Sequence, residues 1–231
     1  MHTVRGNQWL LFSMLLLGLQ GCAQRAPLPP LPAGAPADFP TQRYLSADVL
    51  AVQSGTLTVR VYRGGRLARL GHNHVITSEA VAGLLQPGPD GPTGSYADLY
   101  LPLASLVIDS DAARQAAGPD FSSRPSEKDR QGTLANLLGA RLFDAAQYPY
   151  VRAAVTMTNT DRASVALTVR DHTSTHVVPV LVEPEANRMK ISANWSVTHA
   201  DIGLTPFSAL GGAIVVADPI HLALTLTVNA P

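Results

Sequence analysis

Two histidines one residue apart, His72 and His74, stand in the run "LARLGHNHVITS". Imidazoles two residues apart on an extended strand project to the same side, so they can ligate one metal ion together. They can equally hydrogen-bond the polar head of an apolar ligand. A third reading is structural: the rings satisfy nearby backbone groups or a carboxylate such as Asp98 or Glu79. The H-x-H spacing is a weak metal signal by itself and leaves all three open. No G-x-S-x-G, no paired-glycine phosphate loop and no nucleophilic thiol accompanies the pair. Hydrolase and nucleotide chemistry therefore have no foothold, no catalytic residue is assigned, and no cofactor or metal is assigned.

Strand parity puts Ala68, Leu70, His72, His74 and Ile76 on one face, and the apolar members make that face the inward one. By the same rule His176 shares a face with Val178 and Val180, and His199 continues the face of Trp195 and Val197. His172 and His221 fall on wet faces. The expected site is thus His72 and His74 with His176 or His199 at one end of an apolar interior. Phe143, Met189, Trp195 and Phe207 are the bulky candidates to line it, each also fitting an ordinary core role.

These residues need a scaffold, and the patterning supplies β-structure. In "RMKISANWSV" Met189, Ile191, Ala193, Trp195 and Val197 alternate with polar residues, and "IHLALTLTVN" repeats the pattern from Ile220 to Val228. Weaker copies occupy 57–63, 151–157, 165–169 and 178–182, separated by turn-rich runs such as "PGPDGPTG" and "EPEANR". The segment 95–110 reads as a long strand that bends near Pro102. Ser126 is an N-cap for one helix over about 127–140, with Leu134, Leu137 and Leu138 at helical spacing. About eight one-face-apolar strands close as a sandwich or a barrel, and long amphipathic strands with one inserted helix favour an antiparallel β-barrel. Such a barrel can hold one small ligand.

Charged residues make up 15% of the 231-residue chain and the net charge is +0, so nothing draws it to nucleic acid. Cys22 is the single cysteine, which rules out an intramolecular disulfide and cysteine-rich zinc sites. It follows Arg5 and the apolar run from Trp9 to Leu19, which has the length of a secretory signal core and is too short to span a bilayer comfortably. Leu19-Gln20-Gly21-Cys22 resembles the lipobox of bacterial lipoproteins, in which the cysteine is acylated; cleavage after Ala23 in an ordinary secreted protein is the alternative. Residues 23–40 are dense in Pro and Ala and read as an extended tether of roughly 50 Å at about 3.1 Å per residue, or as a leader without a spacing role. The expected organisation is a signal peptide over 1–21, a tether over 22–42 and a β-barrel domain over 43–231.

The second half of the chain resembles YceI-like proteins. In "LANLLGARLFDAAQYPYVRAAVT" Phe143, Asp144, Tyr148 and Pro149 follow the order of that family's helix-to-strand motif. "VALTVRDHTSTHVVPVLVE" is similar to its hairpin, although Asp171-His172 stands where a glycine is common. "HADIGLTPFSALGGAIVVADPIHLALTLTV" is similar to its ending, with a strand entered through Asp218. The run "GPDFSSRPSEKD" before the helix is atypical. Over about residues 50–229 the resemblance implies an extended lipocalin-like barrel that binds a long apolar molecule of the polyisoprenoid or quinone type. It further implies a secreted or periplasmic bacterial protein and leaves a homodimer open. The expectation is a cell-envelope lipoprotein, lipid-anchored through Cys22 and facing the periplasm, that binds a lipid or isoprenoid near His72 and His74. A histidine-cluster metalloprotein or enzyme, and a non-catalytic interaction module of the envelope, are the alternatives.

Overall fold

Long strands with one apolar face must bury that face, and this chain does so by rolling one antiparallel sheet onto itself. The computed structural model describes residues 29–31, 34–44, 46 and 48–229; the expected signal peptide and Cys22 lie outside the described residues. The elements are β1 (Leu50–Gly64), β2 (His74–Ser78), β3 (Ala82–Gly88), β4 (Gly91–Pro102), β5 (Val107–Ile108), α1 (Asp111–Ala117), α2 (Glu127–Leu138), β6 (Tyr150–Met157), β7 (Arg162–Val169), β8 (His172–Glu185), β9 (Arg188–Val197), β10 (Ser208–Ala209) and β11 (Ile214–Asn229).

Neighbouring strands follow the order β10-β11-β9-β8-β7-β6-β4-β3-β1-β2-β5, and pairing of β11 with β1 closes the ring. The eight longer strands β1, β3, β4, β6, β7, β8, β9 and β11 form a closed antiparallel barrel, so the mainly-β, lipocalin-like architecture expected from the sequence is the one observed. The long strands hand over between partners: β8 pairs with β7 over His172–Pro179 and with β9 over Val180–Glu185. The inward residues of β9 and β11 are those the alternation selected, from Met189 to Val197 and from Ile220 to Leu226.

The helix at 127 is also present. Ser126 Oγ accepts from the Asp129 amide at 3.3 Å and the Asp129 carboxylate accepts from the Ser126 amide at 3.0 Å, a reciprocal cap that satisfies two end donors. Its Leu134, Leu137 and Leu138 pack on the barrel core. The expected bend at Pro102 ends β4 and is followed by a 3-10 turn, Leu103–Ser105, and then β5. Helix α1 has no counterpart in the sequence reading.

Two local expectations are corrected. The strand read through Ala68, Leu70, His72, His74 and Ile76 begins only at His74; Ala68–Leu70 is a 3-10 turn and Leu70 is 60% exposed. On the edge of β1 that faces β2, pairing stops at Val61 opposite His74, so the residues ahead of His74 have no strand partner and form a loop. Asn73 Oδ1 accepts the Arg63 amide at 3.1 Å and fastens that loop.

Residues 34–42, inside the expected tether, lie on the outer wall of the barrel. Phe39 and Tyr44 are buried with Leu84 and Tyr100 of β3 and β4, and Leu31 and Ala35 pack on the same cluster. Phe39 meets Tyr100 edge to face at 5.5 Å, and Asp38 takes Arg152 through two 2.7 Å hydrogen bonds. Burying one side chain of this kind contributes about 1.5–3 kcal/mol, which outweighs the extended preference of the Pro-rich composition.

Candidate functional site

The barrel encloses a cavity of about 990 Å³, at the upper end of the size usual for small-molecule sites. Its wall is dominated by aliphatic side chains from every barrel strand, among them Leu57, Val59, Leu99, Val165, Ile191 and Leu224. Phe143, Met189, Trp195 and Phe207, the bulky candidates from the sequence, all line it. Polar side chains are few; besides Thr133 and Asn136 of α2 and Arg152 of β6, they fall in two groups. Asp48, Gln86 and Ser95 lie by the β3–β4 hairpin, and His74 and His199 at the opposite end.

Pairing geometry puts those two histidines at one end. His74 faces Val61 of β1, and Val61 shares a buried cluster with Val197, Ile202 and Ile220, next to His199. Each ring is fixed through Nδ1 by a carboxylate. His74 Nδ1 is 2.6 Å from Asp109 Oδ2, and His199 Nδ1 is 2.6 Å from Asp218 Oδ1, which also accepts the His199 amide at 2.9 Å. A carboxylate on Nδ1 sets that nitrogen as the donor and selects the tautomer.

Asp109 is the centre of a buried network. Its side chain is fully buried, and its backbone adopts a left-handed φ of 53°. Oδ1 accepts the Val75 amide at 2.9 Å and Arg114 Nη1 at 2.5 Å. Arg114, itself buried, donates further to the Asn73 carbonyl, the Ser123 carbonyl and Ser123 Oγ, each at 2.8 Å. Burial works to push the Asp109 carboxyl up, but hydrogen bonds from His74, Val75 and Arg114 outweigh it and hold the group below the usual carboxylate range. The atypical run before α2 therefore has a task, since Ser123 and Phe121 enclose Arg114. The sequence reading missed Asp109 and Arg114, and it noted Asp218 without its partner. Asp98, named as a carboxylate for the histidines, lies instead on the outer wall, where it binds Tyr44 and Arg43.

The other two candidate histidines, His72 and His176, do not line the cavity. The His72 ring lies 6.3 Å from that of His74 but sits in the loop and is not part of the cavity wall; its Nδ1 is buried without a partner. His176 Nε2 meets Ser174 Oγ at 2.8 Å and is likewise absent from the wall. Among the described residues no three His, Cys, Asp or Glu side chains are grouped to hold a metal ion.

Comparison with known proteins matches residues 72–228 to the YceI-like domain. BcnA of Burkholderia cenocepacia is similar in structure, 12% identical, with 75% of this chain and 95% of that chain covered and a TM-score of 0.49. The YCEI protein of Campylobacter jejuni is 14% identical, with 68% and 84% covered and a TM-score of 0.48. No curated protein matches the chain. The domain match runs from the loop ahead of His74 through nearly all of β11 and so takes in both histidine–carboxylate pairs and every barrel strand but β1: the chain belongs to the YceI-like family.

Proposed function

We propose that this protein holds one elongated, mainly apolar molecule of the lipid class, such as a polyisoprenoid or a quinone, inside its barrel. The observation that carries the reading is the mainly aliphatic wall around about 990 Å³, with few polar side chains in it. Transfer of hydrocarbon from water into such a space is favourable by about 25 cal/mol per Å² buried, and a few end groups suffice to orient the guest. Membership of the YceI-like family fits an apolar guest in the barrel. In the same proposal the chain is a bacterial cell-envelope lipoprotein, acylated at Cys22 and facing the periplasm.

Mass spectrometry of the intact protein from its native envelope tests both parts. The expected result is a fatty-acyl mass increment that maps to Cys22, together with one long-chain lipid per protein released by organic solvent. A chain that yields no lipid and, once purified, takes up no apolar fluorescent probe would remove the binding reading. An unmodified Cys22 would remove the anchor.

A further inference from the structure

The polar end of the cavity has an unusual inventory of free hydrogen-bonding atoms. In His74 and in His199 the Nδ1 proton is given to a carboxylate, and no described residue hydrogen-bonds either Nε2. On a neutral imidazole held this way Nε2 carries a lone pair and accepts. Trp195 supplies the complement: it lines the same cavity, and its Nε1–H is buried with no acceptor among the described residues. Register relates the three. Val61 faces His74, Val59 faces Leu222, and Leu222 faces Trp195, so the indole lies one inward rung, about 7 Å, below His74 and three strands around the wall from it, at about 4.8 Å per strand. His199 follows Trp195 by four residues at the same end.

Two acceptors and one donor around an aliphatic cavity define a chemical preference. A hydroxyl both donates and accepts, so it can pair with either kind of group, giving its proton to an imidazole Nε2 or taking one from the Trp195 indole. An ether, ester or ketone oxygen only accepts; it could serve the indole but leaves desolvated and unpaired the imidazole that a hydroxyl would satisfy. Discrimination by unpaired polar groups is larger than discrimination by shape in an apolar site.

We infer that the histidine end of the barrel recognises a hydroxyl group, so that the ligand class is a long-chain alcohol or phenol rather than the corresponding ether, ester or ketone. This rests on the apolar-cavity reading and narrows it to hydroxylated guests, which excludes an oxidised quinone because its ring oxygens only accept.

The test titrates lipid-stripped full-length protein with hexadecanol and with its methyl ether, each in competition with an apolar fluorescent probe. Hexadecanol is expected to bind about tenfold more tightly than the ether. His74→Phe and His199→Phe are expected to bring that ratio toward one. Equal affinity of alcohol and ether for the unaltered protein overturns hydroxyl recognition while apolar binding stands. Displacement of the probe by neither compound overturns both. An alcohol preference of full size in both variants also overturns the assignment, because the hydroxyl would then be read elsewhere.

Discussion

His74 and Arg114 grip opposite oxygens of one buried carboxylate: Asp109 Oδ2 meets His74 Nδ1 at 2.6 Å while Asp109 Oδ1 meets Arg114 Nη1 at 2.5 Å. Through this bridge a cavity-lining ring is tied to helix α1 and, by Ser123, to the run that leads into α2. A buried charge in such a place is tolerable only while every partner is present.

Asp109→Asn keeps the shape and removes the charge, which leaves Arg114 buried without its counter-ion. The expected cost is about 3–5 kcal/mol in urea unfolding. The pH dependence follows from the lowered Asp109 carboxyl. Its contribution is complete above the ordinary carboxylate value and is lost as pH falls through the lower, folded value. Stability measured from neutral pH into acid should therefore fall more steeply for the unaltered protein than for Asp109→Asn. Parallel acid limbs would contradict a charged Asp109.

Tyr44 fastens the N-terminal segment to the outer wall. Its hydroxyl accepts the Asp98 amide at 2.7 Å and lies 2.8 Å from Asp98 Oδ2 and 3.1 Å from the Leu84 carbonyl. Burial, and then the neighbouring Asp98 carboxylate, push the phenol well above its usual range, so it stays a hydrogen-bond donor at any physiological pH. Tyr44→Phe leaves Asp98 partly unpaired and is expected to cost about 1–3 kcal/mol. Limited proteolysis should then release the segment ahead of β1 sooner than in the parent protein. Unchanged cleavage would mean that Phe39 and Val49 hold the segment without the phenol.

Ala153 faces inward from β6, between Leu99 on one side and Leu167 on the other, and lines the cavity. Ala153→Trp fills that space from within. Uptake of an apolar probe is expected to weaken by about tenfold or more, with the far-ultraviolet circular dichroism of the barrel retained. Full binding by a folded variant would place the guest outside the barrel.

The parts legible in the sequence obey local rules. The inward faces of β9 and β11 follow from period-two alternation, the start of α2 from Ser126, and the end of β4 from Pro102. What escaped depends on partners far along the chain. Asp109 is 35 residues from His74, and no spacing rule joins them. Helix α1 has only seven residues, too few to show a period, and is tied to the fold through Arg114. The alternation through Leu70 and His72 was genuine as a pattern, yet no neighbouring strand exists there to turn it into sheet. Parity also placed His176 inward, where Ser174 holds its ring. His74, His199 and Trp195 were legible as inward residues, but their free atoms were not, because those are defined by what their partners leave unused.

The docked N-terminal segment also bears on orientation. Its Gly34 carbonyl accepts from Tyr150 Oη at 2.8 Å, and Tyr150 adjoins Val151, which packs on the cluster of Val61 and Val197. The chain thus reaches the wall at the histidine end and runs toward the opposite rim, where β1 begins. Leu31 is already seated on that wall, nine residues beyond Cys22, and nine residues cover at most about 32 Å when fully drawn out. Under the proposed acylation of Cys22 the protein would ride on a short mooring line tied at its bow, with the hydroxyl-reading end kept nearer the bilayer than the β3–β4 hairpin.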